Sequence, residues 1–281
     1  MKVKVFNTAW VRTKKRLLLA SAKFESLDIV TLFGVVEHPQ QGVILFDTGV
    51  HTQFYQATRK FPYRMHSILT PFGLKEENNA VNQLLKIGLH PRDVKAIIIS
   101  HGHADHIPGI IDFPNAKVII NKAEMDFMCW DHTKRHSVKL FRNAYVKSLY
   151  NNCNNEIIPI DFTIRGKRHK FFNNAVDLWD DGTMQLVPLP GHTRGQMGLF
   201  MSNVESRELF FVGDAAYLQD NIQYNIPTSK LFQVVYASPQ NFINTLNTLH
   251  ELQKSNPDLL IIPSHCSETW NMLKTLNMAV E

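Results

Sequence analysis

Short apolar segments that end at a polar residue recur along this chain. Six of them have the length and β-branched content of buried strands, and their sequences are GVILFDTG, VKAIIIS, KVIIN, MQLVPLPGH, ELFFVGD and DLLIIPSH. Strands of this kind predict a sheet whose ends carry polar loops. Such loops are where a rigid sheet positions functional side chains well.

Two longer segments have the period of amphipathic helices. EENNAVNQLLKIG places Val81, Leu84 and Leu85 at helical spacing before Gly88, with acidic residues in its first turn. SPQNFINTLNTLHELQKSN has Ser238 at the N-cap position and a proline next, with apolar residues along one face. Strands alternating with helices, without a repeat or a long linker, predict one layered α/β domain over residues 1–281.

The composition narrows the classes of function. A net charge of +5 arises from 30 basic and 25 acidic residues that are interspersed, so we expect no nucleic-acid partner. The three cysteines are odd in number and widely spaced, which predicts no disulfide framework and favours a reducing compartment.

Membrane and export signals are weak. No apolar stretch approaches the ~18–20 residues that a membrane-spanning helix needs, so we expect no membrane partner. RTKKRLLLASAK resembles an export signal, but its apolar core, residues 17–20, is far shorter than the usual ~7–15 residues. We therefore expect a soluble, cytoplasmic protein.

The segment SHGHADHIPG follows a predicted strand and concentrates possible metal ligands. His101 and His103 are two positions apart, while Asp105 and His106 are adjacent, so a tight turn could direct them at two neighbouring points. Other predicted strand ends add three candidates, His192, Asp214 and His265. Imidazole and carboxylate suit zinc and other first-row divalent metals, and a carboxylate can bridge two ions. Any one histidine alone would more often be a surface or satisfied core residue, so the prediction depends on the set.

Together with LFDTG at residues 45–49, these motifs resemble the metallo-β-lactamase superfamily over roughly residues 30 to 270. The resemblance implies an αββα sandwich of two mixed β-sheets flanked by helices, with two divalent metal ions, expected to be zinc, at one edge. It implies one metal on His101, His103 and His192, a second on Asp105, His106 and His265, and Asp214 bridging both. Asp47 would hydrogen-bond to the metal loop, although a simple Asp-Thr-Gly turn explains it equally well on local grounds.

Several differences between this chain and other members of the superfamily narrow its expected activity. Class B β-lactamases generally lack the bridging aspartate and are usually exported, and flavodiiron members carry glutamate where this chain has His103. Glyoxalase II enzymes share the seven ligands but continue into a helical glutathione-binding segment, whereas sixteen residues follow His265 here.

Tyr217, three residues after Asp214, resembles the tyrosine of N-acyl homoserine lactonases, and LLKIGLHPRDVKAIIISHGHADHIPGI also looks like those enzymes. The resemblance implies a dinuclear hydrolase in which a metal-bridging hydroxide opens a small-molecule lactone. Tyr217 would donate a hydrogen bond to the oxyanion, and Asp105 would carry a proton to the leaving alkoxide. The alternative for Tyr217 is a packing residue with its hydroxyl in water.

A helical, cap-like insertion is predicted around residues 122–175. Its aromatic and sulfur-containing residues could receive an acyl chain or could pack helices on the sheet: Met125, Phe127, Met128, Trp130, Phe141, Tyr145, Phe171 and Phe172. Hydrolysis of phosphoesters, including RNA, or of thioesters in the manner of glyoxalase II is the alternative activity, and a non-catalytic metal-binding protein is a third class. The chain could act alone or as a homodimer.

Overall fold

The computed structural model describes residues 1–129, 134–150, 153–169 and 171–280. Within these residues the strands are β1 (Lys2–Lys14), β2 (Ser26–His38), β3 (Gly42–Phe46), β4 (Val94–Ile99), β5 (Lys117–Asn121), β6 (Ile157–Ile160), β7 (Val176–Asp177), β8 (Met184–Pro188), β9 (Met197–Val204), β10 (Arg207–Gly213), β11 (Leu260–Pro263) and β12 (Ala279–Val280). All six predicted strand segments are strands in the structure.

The helices connect these strands. They are α1 (Lys15–Leu18), α2 (Gln53–Ala57), α3 (Arg64–Leu69), α4 (Ala80–Lys86), α5 (Lys122–Cys129), α6 (Lys134–Arg142), α7 (Phe162–Arg165), α8 (Gln219–Tyr224), α9 (Pro239–Ser255) and α10 (Ser267–Thr275). Short 3-10 turns lie at Glu76–Asn78, Pro91–Asp93, Pro108–Asp112, Lys147–Leu149 and Phe232–Val235. No helix in the described ranges combines the length and the apolar character required to cross a lipid bilayer.

The strands form two mixed sheets. The first has the order β12-β1-β2-β3-β4-β5-β6 and the second the order β11-β10-β9-β8-β7. In the first sheet, β1, β2 and β3 are antiparallel neighbours, whereas β3 to β6 run parallel. In the second, β10 and β11 are parallel, and the other strand pairs among the described residues are antiparallel. The predicted sandwich of two mixed sheets flanked by helices is confirmed.

Alternation along the strands divides the core into two layers. Ala96 and Ile98 of β4 face a cluster that includes Phe211 of β10, so this cluster lies between the sheets. Ile97 and Ile99 belong to a second cluster, which includes helical side chains such as Leu84 of α4. Burying each large apolar side chain contributes about 1.5–3 kcal/mol, so both faces of β4 stabilise the fold.

Close contact between the sheets depends on one glycine. Phe46 of β3 stacks on Phe211 of β10 with ring centroids 5.1 Å apart. A Cβ atom on Gly34 of β2 would lie 2.6 Å from the Phe211 ring, so a larger residue there would push the sheets apart. Glycine at this position therefore lets the Phe211 ring lie directly on the first sheet.

The predicted helices are present with different bounds. Helix α9 begins after Ser238, whose Oγ accepts a hydrogen bond from the Asn241 amide, as predicted for an N-cap. The helix predicted for EENNAVNQLLKIG is interrupted at Asn79, which has an extended ψ of 143°. The Asn79 side chain accepts from the Thr52 amide, and the acidic residues lie in a separate 3-10 turn.

The segment 122–175 combines helices with a strand. It contains α5, α6 and α7, and also β6, which pairs in parallel with β5 at the edge of the first sheet. Trp130 lies outside the described residues. This segment therefore both extends the sheet and packs helices beside it.

Candidate metal centre

Four loops at the carboxyl ends of strands bring the predicted site residues together. The loop after β4 carries His101, His103, Asp105 and His106, and it belongs to the first sheet. The other three predicted ligands follow strands of the second sheet and are His192 after β8, Asp214 after β10 and His265 after β11. The site therefore lies where the ends of both sheets meet.

Three imidazoles form a first group. The Nδ1 atom of His103 lies 3.1 Å from Nε2 of His101 and 2.9 Å from Nε2 of His192. The other His103 nitrogen, Nε2, is 2.8 Å from the carbonyl oxygen of Asn143, which can only accept. In neutral His103, Nδ1 is therefore unprotonated, and its lone pair faces the other two rings. Nitrogens ~2.0–2.1 Å from one zinc ion lie roughly 3.3 Å apart in a tetrahedral site, so these three fit such an ion.

A second group contains one carboxylate and two imidazoles. Asp105 Oδ2 lies 3.4 Å from His265 Nε2, and Asp105 Oδ1 lies 3.7 Å from His106 Nε2. The far nitrogens have partners of their own, because His265 Nδ1 is 2.8 Å from the Val30 carbonyl oxygen. His106 Nδ1 is 2.8 Å from Asp47 Oδ2. Both Nε2 atoms are therefore directed at the centre of the group.

Asp214 lies between the two groups and is 2% exposed. Its Oδ2 atom is 3.4 Å from His192 Nε2 and 3.9 Å from His101 Nε2. Its Oδ1 atom is 3.3 Å from Nε2 of both His106 and His265. One carboxylate oxygen faces each group, which is the arrangement that a bridging ligand requires.

Two buried atoms in the site support a cation there. His106 Nε2 and Asp214 Oδ1 have no well-aligned hydrogen-bond partner within the described residues. Leaving buried polar atoms unpaired costs about 1–3 kcal/mol each. Divalent cations would satisfy both atoms, so the donor chemistry and the spacing fit two metal ions.

Electrostatics differ between the two groups. Burial lowers the pKa of His101 and of His192 well below the usual range, which favours the neutral ligand form. Burial also opposes the charged form of His106, but Asp105 and Asp47 outweigh it, and the His106 pKa lies well above its usual value. The carboxylates of Asp105 and Asp47 thus place negative charge beside His106.

Asp47 supports the loop after β4. Its carboxylate is fully buried and accepts from the Ser100 amide at 2.7 Å, the Ser100 Oγ at 2.7 Å and His106 Nδ1 at 2.8 Å. The structure therefore shows the contact between Asp47 and the loop after β4 that the resemblance implied. Ser100, whose Oγ also lies 3.0 Å from His101 Nδ1, was missed in the sequence because it reads as an ordinary strand end.

Tyr217 lies inside the site. Its hydroxyl is 3.5 Å from His192 Nδ1, and its ring stacks on His265 with centroids 5.5 Å apart and an interplanar angle of 15°. Burial, and then the Asp214 carboxylate, raise the pKa of Tyr217 well above its ordinary value. The phenol is therefore a proton-bearing donor at neutral pH.

Asn221 anchors the Tyr217 loop and was not predicted. Its Oδ1 accepts from the amides of Tyr217 at 3.2 Å and Leu218 at 2.7 Å. Its Nδ2 donates to the carbonyl oxygens of Leu18 and Ile226, both at 2.8 Å. An asparagine in a loop is common, and only these contacts distinguish it.

The aromatic and sulfur-containing residues predicted for the 122–175 segment differ in burial. Four of them are buried in the core, namely Phe127, Met128, Tyr145 and Phe172. Tyr145 also packs against the His103 ring, with centroids 5.0 Å apart. Phe141 of α6 is partly buried and contacts His66 of α3 at a centroid distance of 4.9 Å. Packing therefore explains most of this set.

Comparison with known proteins identifies the family. Residues 29–265 match the model of the metallo-beta-lactamase superfamily. The chain belongs to this superfamily. The resemblance to the metallo-β-lactamase superfamily is thus confirmed.

Within the superfamily, several similar proteins are named lactonases. N-acyl homoserine lactonase AttM of Agrobacterium fabrum is 25% identical over 210 residues, which cover 72% of this chain and 69% of that protein. N-acyl homoserine lactonase AiiA of Bacillus thuringiensis subsp. kurstaki is 25% identical over 224 residues, covering 79% and 76%. A solved N-acyl homoserine lactone hydrolase with bound N-hexanoyl-L-homoserine is 21% identical, covers 96% of this chain and 95% of its own, and has a TM-score of 0.71.

Proposed function

We propose that this chain is a dinuclear metal-dependent hydrolase that opens the lactone ring of N-acyl homoserine lactones. The observation that carries the proposal is Tyr217, whose buried hydroxyl lies 3.5 Å from His192 Nδ1 inside the candidate metal centre. Similar proteins of the superfamily are named N-acyl homoserine lactonases. Together these findings favour a small-molecule lactone over the other substrates of metallo-hydrolases.

The seven predicted ligands would hold two divalent ions. His101, His103 and His192 would bind the first ion, Asp105, His106 and His265 the second, and Asp214 would bridge them. When bound, such ions lower the pKa of water toward about 7 and polarise carbonyl oxygens. Zinc is the expected metal, because the ligand set suits it and a structural neighbour, AidC, is described as a dizinc lactonase.

The chain's own residues would orient the lactone and move a proton. Tyr217 would donate a hydrogen bond to the carbonyl oxygen as negative charge develops on it. The oxygen of water bonds to the carbonyl carbon, the bond between that carbon and the ring oxygen breaks, and a proton lost by that water must reach the leaving alkoxide. Asp105 would deliver that proton, because its side chain is 20% exposed whereas Asp214 is almost fully buried.

The first prediction tests the role of Tyr217. Replacing Tyr217→Phe removes the donor and keeps the ring that stacks on His265, so we expect kcat for lactones to fall ~10²–10³-fold with metal content unchanged. Tyr224→Phe is the matched control, because Tyr224 is exposed on the next helix. Rates would be followed by proton release from N-acyl homoserine lactones of several chain lengths, with elemental analysis of each variant.

The same substrate panel distinguishes the alternatives. It includes a glutathione thioester and a bis-aryl phosphodiester beside the lactones. Turnover of one of these, with none of any lactone, would contradict the proposed substrate class. Unchanged lactone turnover in metal-replete Tyr217→Phe would contradict the role of the phenol.

A further inference from the structure

Glu124 is a fully buried acid that the proposed mechanism does not use. It lies in the first turn of α5 and has no exposed surface. One carboxylate oxygen, Oε1, accepts from the Gly102 amide at 2.8 Å and from the Tyr145 hydroxyl at 2.6 Å. The other, Oε2, accepts from the Gly195 amide at 2.9 Å. Both oxygens are thus engaged by donors, so Glu124 is not itself a metal ligand.

The two amides belong to the loops that carry the first group of ligands. Gly102 lies between His101 and His103, and Gly195 is three residues after His192. The first loop follows β4 of one sheet and the second follows β8 of the other. A single carboxylate therefore hydrogen-bonds to both ligand loops.

Close packing leaves little freedom in this arrangement. A Cβ atom on Gly195 would lie 2.3 Å from the Glu124 backbone nitrogen. A Cβ atom on Gly102 would lie 2.4 Å from Met128 Sδ and 2.8 Å from Tyr145 Cε1. Because Glu124 and Met128 both belong to α5, these short distances place the helix directly against both loops.

The segment 122–175, which contains Glu124 and Tyr145, also orients His103. The Tyr145 ring, whose hydroxyl donates to Glu124, packs against the His103 imidazole with centroids 5.0 Å apart. Two residues earlier, the Asn143 carbonyl oxygen lies 2.8 Å from His103 Nε2. Glu124, Tyr145 and His103 are thus connected by direct contacts.

We propose that Glu124 is a positioning residue that fixes the His101–His103 loop against the His192 loop, so that their three imidazoles face one metal ion. This inference rests on the proposed metal centre. The negative charge of Glu124, held near two divalent cations, would also lower the cost of placing these cations in a buried site. Residues that act through metal ligands in this way typically change metal affinity ~10–100-fold when they are replaced.

The test replaces Glu124→Gln in the full-length protein. A glutamine has one acceptor oxygen, and its amide nitrogen would face a backbone N–H, so one loop loses its partner. We expect zinc affinity, measured by competition with a chromogenic chelator, to fall ~10–100-fold. The visible absorption of the cobalt-substituted protein should change as well, because the geometry around the first ion is altered. Asp126→Asn is the matched control, since Asp126 is half-exposed on the same helix and pairs with Lys122.

A second variant addresses loss of folding. Tyr145→Phe keeps the ring against His103 and leaves the Glu124 carboxylate with its two amide donors, so we expect a smaller loss of zinc affinity in the same direction. If both variants bind zinc as tightly as the parent protein, or if they lower only the melting temperature of the metal-free form, Glu124 has a structural role and the inference is wrong. A parent protein that binds zinc but hydrolyses no lactone would overturn the proposed function and leave this comparison intact.

Discussion

Asp47 is a residue whose backbone is adapted to its contacts. It follows β3 with a left-handed φ of 60°, a conformation that few residues other than glycine, asparagine and aspartate adopt readily. This turn directs the Asp47 carboxylate at Ser100 and His106, which belong to the loop after the neighbouring strand β4. The sharp backbone turn and the three hydrogen bonds therefore have the same effect, which is to orient a candidate ligand.

The prediction for Asp47→Asn follows from that geometry. Asparagine tolerates the left-handed backbone, but its amide nitrogen cannot accept from Ser100 or His106, so one buried donor loses its partner. We expect unfolding free energy to fall by about 1–3 kcal/mol and zinc affinity to fall ~10–100-fold. Urea denaturation and chelator competition would measure the two effects.

A matched substitution separates burial from charge. Asp28→Asn removes an exposed carboxylate that pairs with Arg12 at 2.7 Å, and exposed pairs of this kind contribute ~0–1 kcal/mol. Equal effects of the two substitutions would mean that Asp47 has no special role.

The residues of the site differ in how far the sequence reveals them. His101 and His103 could be predicted because their ligand chemistry appears within one short motif at a strand end. Glu124 and Asn221 could not, because each also bonds to a backbone group far away in the sequence, Gly195 for Glu124 and Leu18 for Asn221. A contact between a side chain and a distant peptide group leaves no pattern in the chain.

Among the elements, α9 supports the His192 loop. The Ser238 amide donates to the Gly191 carbonyl oxygen at 3.0 Å, and the Ala237 amide donates to that of His192 at 3.0 Å. Further along the helix, Thr245 Oγ1 donates to the Pro190 carbonyl oxygen at 2.7 Å. The start of α9 therefore fixes one of the loops that carry candidate ligands.

Ser238→Ala tests the N-cap of this helix. The substitution removes the acceptor for the Asn241 amide, and we expect a loss of about 1 kcal/mol in unfolding free energy. Ser255→Ala, at the exposed last residue of the same helix, should change stability by less than about 0.5 kcal/mol. Equal losses in urea denaturation would show that Ser238 does not act as a cap.

Element bounds were less predictable than element types. The apolar period of residues 76–88 correctly indicates a helix, but Asn79 satisfies the Thr52 amide instead of continuing it. The long hairpin of β1 and β2 was not among the predicted strands, although its pairing extends from Lys2 with Glu37 to Lys14 with Ser26. Long-range contacts decide both cases, and a local period does not contain them.

At the scale of the whole molecule, the candidate ligands come from both sheets. His101 and its neighbours follow β4, whereas His192, Asp214 and His265 follow strands of the other sheet. Metal ions held between them would connect the two layers as well as serve the reaction. Stability should therefore depend on metal concentration, because a ligand that binds only the folded state stabilises it.

The prediction for metal removal is a lower melting temperature. At 100 times the dissociation constant, zinc would add about 2.7 kcal/mol, which corresponds to a shift of roughly 4–6 °C for a chain of this size. Calorimetry of the chelator-treated and zinc-loaded protein measures it. The double variant His101→Ala with His265→Ala should lose the shift, and an undiminished shift in that variant would mean that zinc acts elsewhere.

Two of the histidines take their orientation from peptide carbonyls, Val30 for His265 and Asn143 for His103. A substitution changes a side chain but leaves the peptide group in place. Position 30 can therefore exchange one apolar residue for another during evolution without altering the tautomer of His265. His106 has no such protection, because the group that orients it is the side chain of Asp47. Substitution of Asp47, which is not among the seven candidate ligands, would therefore disturb His106, whereas an apolar substitution at position 30 would leave His265 in its orientation.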